Sequence, residues 1–182
     1  EIRIAVELVY PKQILYRALA KFHPISRGSR IQIIDTVITG STEMILEHKA
    51  DLVIAASPSI PKGYIGEPLT VIQMVPVVGK EHQLAQQPTL DLNELSQYLQ
   101  IVIRDTASKP KDVGWLRAEQ RWTVNNFFEA IDILKNGIGF CWLPEYLIEN
   151  LLEQGSLVRL TIAQSSARVV PLALVTPKEE TL

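Results

Sequence analysis

The chain has 182 residues, a formal net charge of −2, 47% hydrophobic residues and 21% charged residues. This composition is close to the globular average and excludes a disordered chain or a coiled coil, and the length allows one domain or two small lobes. The near-neutral charge argues against nucleic-acid binding by this segment itself, because such binding depends on clustered lysines and arginines. The apolar runs are shorter than the roughly 18 residues of a membrane span, so we expect no membrane contact.

The first third of the chain predicts alternating strands and helices. Residues 1–9 are rich in aliphatic side chains and predict a buried strand. Apolar residues at helical spacing predict an amphipathic helix over 11–22, followed by a strand at 31–37. A polar corner at 39–42 precedes a helix from about Thr42 to His48, and a third strand covers 51–56. This order is typical of a parallel sheet with crossover helices.

The rest of the chain predicts a second set of elements. The apolar run 70–80 contains Pro76, which fits an edge, a bulge or a passage between two sheets better than a central strand. Asp91 and Glu94 predict a capping box. The elements predicted from here on are a helix at 92–97, a strand at 100–105, a loop at 106–115, a helix capped by Asn125 or Asn126 and ended by Asn136-Gly137, a strand at 138–143, a helix from Pro144 to about Glu153, and a strand at 167–176.

These elements predict an α/β protein with two lobes. We expect the run 70–80 to lead the chain into a second lobe and the strand at 167–176 to bring it back. The first lobe then comprises 1–73 with 161–182, and the second comprises 74–160.

The sequence contains no recognisable catalytic or metal-binding motif. None of the three histidines has a second histidine or cysteine at helical spacing, so no zinc pattern exists. Cys141, the single cysteine, lies in an apolar run that disfavours a reactive thiolate. No nucleophile elbow, phosphate-binding loop or complete dinucleotide fingerprint occurs. We therefore expect no enzymatic activity, no cofactor and no metal.

The remaining candidates for a site are corners where strands end or helices begin. In open α/β sheets, ligands bind beyond the carboxyl ends of the strands, where helix N-termini supply free N–H groups. Four corners fit: Val9-Tyr10, Ile38-Thr39, Asp105-Thr106 and Asn125-Asn126. Together they suggest a small-molecule site, whereas each one alone is equally consistent with an ordinary cap or turn.

Several stretches of the chain share the order and spacing of one known family. These are EIRIAV at the start, a helix ending in FHP, IQIIDTV, KEHQLA at 80–85, and VNNFFEAIDILKNGIGFCWLPEYLI at 124–148. Over essentially the whole chain they resemble the effector-binding domain of LysR-type transcriptional regulators. Gln83 departs from the pattern, since the family usually has a proline there.

The resemblance implies a two-lobed, periplasmic-binding-protein-like (type II) fold whose lobes are joined by two crossing strands. It implies a small-molecule effector in the interlobe cleft and a cytoplasmic regulator that contacts DNA only through an N-terminal winged helix-turn-helix domain. That domain would precede Glu1, so we expect this chain to be part of a longer protein. The resemblance also implies a homodimer, and a tetramer of the full-length protein, in which helix 11–22 and strand 31–37 meet the partner's helix 125–136.

The family's cleft can be carried onto this sequence residue by residue. Its small hydroxyl residue after the first strand falls at Val9, and its threonine after the second strand falls at Ile38. These departures favour a larger or more apolar effector, such as an aromatic one, over a small inorganic anion. Arg104 could hold a carboxylate if it faces the cleft, or it could face solvent. The predicted effector-binding residues are Val9, Tyr10, Ile38, Thr39, Arg104, Asp105, Thr106, Asn126 and Phe127.

The alternative is a stand-alone solute-binding protein of the same fold, because the fold by itself does not separate the two functions. The residues upstream of Glu1 would decide between them. A helix-turn-helix pattern there indicates a regulator, and a signal peptide indicates a binding protein.

Overall fold

The computed structural model describes residues 1–87, 89–111, 118, 120–163 and 168–177. The described residues fall into two compact units. The first unit is formed by Glu1–Val71, Asp105–Lys111 and the described part of Pro171–Leu182. The second unit is formed by the described parts of Ile72–Arg104 and Asp112–Val170.

The first unit is built on four strands. Strand β1 (Ile2–Glu7) lies between β2 (Ile31–Thr36) and β3 (Leu52–Ala56) and is parallel to both, and the end of β9 (Arg168–Val175) pairs antiparallel with β3. Helix α1 (Lys12–Phe22) connects β1 to β2, and helix α2 (Thr39–Leu46) connects β2 to β3. The apolar core of this unit contains Ala5, Ile45, Ala50, Val53, Ala55 and Val175.

The second unit contains the remaining strands. Strand β4 (Glu67–Gly79) enters it from the first unit and pairs antiparallel with β7 (Phe140–Pro144) and β8 (Leu157–Arg159). Strand β5 (Gln100–Ile103) is parallel to β6 (Arg121–Val124) and to β7. Three helices complete the unit: α3 (Leu92–Leu95), α4 (Phe127–Lys135) and α5 (Glu145–Glu153). Its core contains Val78, Leu84, Leu90, Leu95, Phe140, Leu160 and Ile162.

Most predicted helices and strands are confirmed. The predictions agree best with the structure where a helix is capped by a residue at its own N-terminus. The capping box of Asp91 and Glu94 is present, and Asn126, one of the two proposed caps, accepts a hydrogen bond from the Glu129 N–H at 2.9 Å. Pro76 lies inside the continuous strand β4 and its carbonyl accepts a bond from Leu160. Strands β6 and β8, four and three residues long, are too short to have given a clear pattern.

One prediction near α2 differs from the structure. The helix begins at Thr39 rather than about Thr42, because a distant carboxylate caps it where a local cap was expected. Residues 105–111 group with the first unit, to which several hydrogen bonds tie them. Residues 112–115 of the predicted loop and residue 167 of the last strand lie outside the described residues.

No helix within the described part of the chain is both long enough and apolar enough to cross a membrane.

The contact between β4 and α4 gives a stability prediction. A Cβ atom on Gly79 would lie 1.9 Å from the Leu134 carbonyl oxygen, so the strand and the helix approach each other too closely for a side chain. We expect Gly79→Ala to lower the free energy of unfolding by about 3 kcal/mol through overpacking. Gly155→Ala is the matched control, because Gly155 has a φ of +78° but no atom near the added Cβ. Gly155→Ala should lower the free energy of unfolding by about 1 kcal/mol. If chemical denaturation shows the same loss of stability for both variants, the close contact at Gly79 is contradicted.

Candidate functional site

The corner between β2 and α2 has an unusual backbone. Ile38, the residue before α2, has φ 55° and ψ −114°. A β-branched side chain rarely adopts a positive φ, because its Cβ crowds the neighbouring carbonyl group. Such a conformation persists only where surrounding contacts enforce it. The contacts that enforce it here come from two carboxylates of the first unit.

The first carboxylate is Glu7, at the carboxyl end of β1. Its side chain is only 4% exposed, and its Oε2 atom accepts the Ile38 N–H at 3.1 Å. Burial raises the pKa of Glu7 to about 7, and the negative charge of Asp105 adds to the shift, although hydrogen bonds from Ile38, Ser41 and Leu8 oppose it. Glu7 therefore carries a carboxyl group that is partly protonated near neutral pH.

Two buried hydroxyl groups extend the contacts of Glu7. The Ser41 hydroxyl lies 3.4 Å from Glu7 Oε2, and the hydroxyl groups of Ser41 and Thr36 are 2.8 Å apart. Both side chains are fully buried. Because a buried polar group is costly unless it is paired, this chain of hydrogen bonds is what allows three polar residues inside the unit.

The second carboxylate is Asp105, at the start of the segment 105–111. It accepts the Thr39 N–H at 3.3 Å and also the Thr39 hydroxyl. Within its own segment it accepts the N–H groups of Ala107 at 2.8 Å and Lys111 at 3.1 Å. Burial acts to raise the pKa of Asp105, but these hydrogen bonds outweigh it and hold the pKa below its usual value. Asp105 therefore acts as an N-terminal cap for α2, although it lies 66 residues from Thr39 along the chain.

Two further residues fasten the segment to the corner. The Thr106 hydroxyl accepts the Val37 N–H at 2.8 Å, and the Thr106 N–H donates to the Val37 carbonyl at 3.2 Å. The Ser108 N–H donates to the Glu43 carboxylate at 2.8 Å. Gly40 makes this approach possible, since a Cβ atom there would lie 1.7 Å from Thr106 Oγ1.

The structure thus brings four of the predicted site residues together in the first unit: Ile38, Thr39, Asp105 and Thr106. The N–H groups of Ile38 and Thr39, which were expected to be open to a ligand, are bonded to the protein's own carboxylates. Val9 and Tyr10 also belong to this unit, but they are buried, and the Tyr10 N–H closes a turn onto the Glu7 carbonyl.

The other three predicted residues belong to the second unit. Arg104 is exposed, and its N–H donates to the Val124 carbonyl at 2.8 Å. Asn126 caps α4, and Phe127 is 7% exposed and packs inside the unit. Asn126 and Phe127 therefore have clear structural roles in capping and packing.

Sequence reasoning missed the polar residues that organise the corner. Glu7, Thr36 and Ser41 were not predicted as site residues, although an acidic residue inside the apolar run 1–9 was a usable signal. A charge in a buried strand requires a partner or a shifted pKa. Nothing in the sequence pointed to Thr36 and Ser41 as its partners.

Other chemistry receives little support from the described residues. Among them, no three His, Cys, Asp or Glu side chains are grouped so that they could hold a metal ion. Cys141 is 2% exposed, and burial raises the pKa of its thiol to about 12. A thiol of this kind stays protonated and is a poor nucleophile.

Comparison with solved structures defines the class of fold. The regulatory domain of MetR, a LysR family regulator from N. meningitidis, superposes with a TM-score of 0.73 at 22% identity, covering 99% of this chain and 85% of that chain. The effector-binding domain of QuiR in complex with shikimate gives a TM-score of 0.69 at 17% identity, covering 100% and 88%. The fold is therefore the type II periplasmic-binding-protein-like fold of LysR regulatory domains.

Sequence comparison adds the family. Residues 1–182 match the LysR substrate binding domain, and the chain belongs to that family, as its sequence pattern predicted. It is also 25% identical over 171 residues to the HTH-type transcriptional regulator YeeY of Escherichia coli K12. The match covers 91% of this chain but 55% of that protein, so the chain spans about half the length of this relative.

The buried carboxyl of Glu7 predicts an unusual dependence of stability on pH. Its pKa is about 7 in the folded protein and 4.5 as a free side chain. The folded state therefore favours the protonated form of Glu7. The resulting contribution to the free energy of unfolding is fully present below pH 4.5, and it is lost as the pH rises through 7. The loss should be about 3 kcal/mol in the free energy of unfolding.

Glu7→Gln should remove this decline, because the amide does not titrate. Chemical denaturation at a series of pH values between 4.5 and 8 measures it, with Glu67→Gln, a change at an exposed carboxylate, as the matched control. A decline of the same size in the glutamine variant would show that Glu7 is not its source.

Proposed function

We propose that this domain is the sensor of a cytoplasmic LysR-type transcriptional regulator. It binds a small-molecule effector in a cleft between two lobes and thereby controls DNA binding by a helix-turn-helix domain of the full-length protein. Family membership supports the regulatory role. YeeY supports the DNA-binding part, because that longer relative is an HTH-type regulator.

The corner at Ile38 and Thr39 is the observation that carries the proposal. Four of the residues expected to contact an effector meet there, at the carboxyl end of a parallel strand and the start of a helix, where α/β proteins bind ligands. Ile38 is strained and its neighbours are joined by buried hydrogen bonds. Strain of this kind is concentrated at functional sites.

The chemistry of this corner also bears on the effector. Carboxylates of the chain itself occupy the N–H groups of Ile38 and Thr39, so a small inorganic anion would compete with them and be repelled by their charge. The resemblance assigns Val9 and Ile38 to positions where the family often has hydroxyl groups. We therefore propose an organic effector that is larger or more apolar than an inorganic anion. The buried thiol of Cys141 gives no support to sensing through thiol oxidation.

A ligand screen followed by two substitutions tests this function. A compound at 100 times its dissociation constant should stabilise the domain by roughly 2.7 kcal/mol, which a thermal-shift screen detects. Calorimetry with that compound should then show about tenfold weaker binding for Arg104→Ala and for Thr106→Ala. Thr106→Ser is the matched control, because it keeps the hydroxyl that accepts the Val37 N–H. Wild-type affinity in both alanine variants, with the fold intact, would rule out the site.

The surface of α1 supports self-association. None of its residues is buried, and Ile14 and Tyr16 are 47% and 43% exposed. Ile33 on the neighbouring strand β2 is 38% exposed. In the second unit, Phe128 at the start of α4 is 78% exposed. Large apolar side chains that are exposed on a domain can become buried when two copies associate. We propose that α1 and β2 pair with α4 of a second copy in an antiparallel homodimer, from which the full-length protein builds a tetramer.

Charged substitutions on the two faces test the dimer. Ile14→Glu and Phe128→Glu should each weaken self-association at least tenfold, because each places a charge in the proposed apolar contact. Leu46→Glu is the control, since Leu46 is 53% exposed on α2 and lies outside the proposed interface. Analytical ultracentrifugation over a range of concentrations measures the change. A wild-type domain that stays monomeric at the highest concentration would overturn the proposal for the isolated domain.

A further inference from the structure

Glu7 is a buried carboxyl group whose hydrogen-bond partners are neutral. Its Oε2 atom accepts the Ile38 N–H and faces the Ser41 hydroxyl. The charged group that acts on it is the carboxylate of Asp105, which disfavours a second negative charge. Asp105 also acts on Glu43 of α2, whose pKa is lowered chiefly by hydrogen bonds from Ser108. At the other end of the sheet, Arg3 and Asp51 pair with each other, with a nitrogen and an oxygen 3.5 Å apart.

The hydroxyl groups beside Glu7 can be arranged in two ways. When Glu7 is ionised it can only accept, so Ser41 donates to it and Thr36 donates to Ser41. When Glu7 carries a proton, its O–H can donate to Ser41 Oγ, and Ser41 then donates to Thr36 Oγ1. The distance of 2.8 Å between the two hydroxyl oxygens suits either direction, since either oxygen can be the donor.

The backbone at Ile38 depends on the state of Glu7. The N–H of Ile38 donates to the same oxygen that Ser41 faces, and a carboxylate accepts about twice as strongly as a neutral carbonyl. With φ at 55°, Ile38 is held in place by its contacts against its own steric preference. Weakening this hydrogen bond therefore weakens a support that the strained turn requires.

We propose that Glu7 is a proton switch: uptake of one proton from solvent reverses the Thr36–Ser41–Glu7 hydrogen bonds and loosens the turn at Ile38. The release of the proton restores the carboxylate and strengthens its hydrogen bond from the Ile38 N–H, although the buried charge lowers the free energy of unfolding of the whole domain. No redox partner or bound ligand takes part, since the proton is exchanged with water. Because burial raises the pKa of Glu7 to about 7, both states are populated near neutral pH. The switch requires no bound effector, although Ile38 also belongs to the proposed effector site.

Nuclear magnetic resonance of the wild-type domain tests the switch without a ligand. The carboxyl carbon of Glu7 and the amide signals of Ile38, Ser41 and Thr36 are followed from pH 4.5 to 9. We expect all four to move together with one midpoint near 7. A Glu7 midpoint near 4.5, or an Ile38 amide that does not follow the carboxyl group, would overturn the proposal.

Two variants and a control separate the parts of the switch. Glu7→Gln should abolish the titration of the Ile38 amide, and a titration that persists would assign the effect to another group. Ser41→Ala removes a donor to the carboxylate, so the midpoint of Glu7 should rise while the Thr36 amide stops following it. If Thr36 still follows, the hydroxyl chain is not the route. Glu67→Gln should leave every midpoint unchanged. If the Glu7 variant does not fold, the wild-type and Ser41→Ala titrations still decide the question.

Discussion

The carboxylate of Asp105 is the interaction on which the first unit depends. It accepts three backbone N–H groups and one hydroxyl, and its bonds to Thr39 join residues that are 66 positions apart. Hydrogen bonds to a charged group contribute about 1.5–3 kcal/mol each, which is more than neutral ones. This single side chain both begins α2 and fixes 105–111, a segment that chain order would assign to the second unit.

The position of Asp105 imposes a constraint on its neighbour. Two carboxylates near one helix N-terminus both benefit from the positive end of the helix dipole, but they repel each other. Asp105 receives enough donors to stay ionised, with its pKa below the usual value, whereas Glu7 is buried and its pKa is raised to about 7. The corner therefore contains one carboxylate that stays charged, Asp105, and one carboxyl group that titrates near neutral pH, Glu7.

The hydrogen bonds of this corner also bear on which effector the proposed site could bind. The resemblance to the family predicts Val9 and Ile38 at positions where its members often have hydroxyl groups, whereas the hydroxyl groups of Thr36 and Ser41 are buried in the interior. The polar groups of the corner thus bind one another. A ligand at the proposed site would meet N–H groups that are already bonded within the protein, which is the physical basis for expecting an organic effector.

The sequence by itself determined the elements whose causes are local. The helix at 11–22 follows from apolar spacing, the start of α3 follows from Asp91 and Glu94 three residues apart, and Asn126 caps α4 through a residue three positions away. The order of these elements was also enough to predict the family and its fold, because order and spacing survive when individual residues diverge.

The conformation of the corner between β2 and α2 could be determined only from the tertiary structure. The start of α2 depends on Asp105, 66 residues away, the conformation of Ile38 depends on Glu7, 31 residues away, and the place of Ser108 depends on Glu43, 65 residues away. Each of these contacts joins groups that are remote along the chain, and the short strands β6 and β8 likewise take their hydrogen-bond partners from distant segments. Local propensity and periodicity carry no record of such partners, because the chain must fold before a buried carboxylate meets the N–H groups that it accepts.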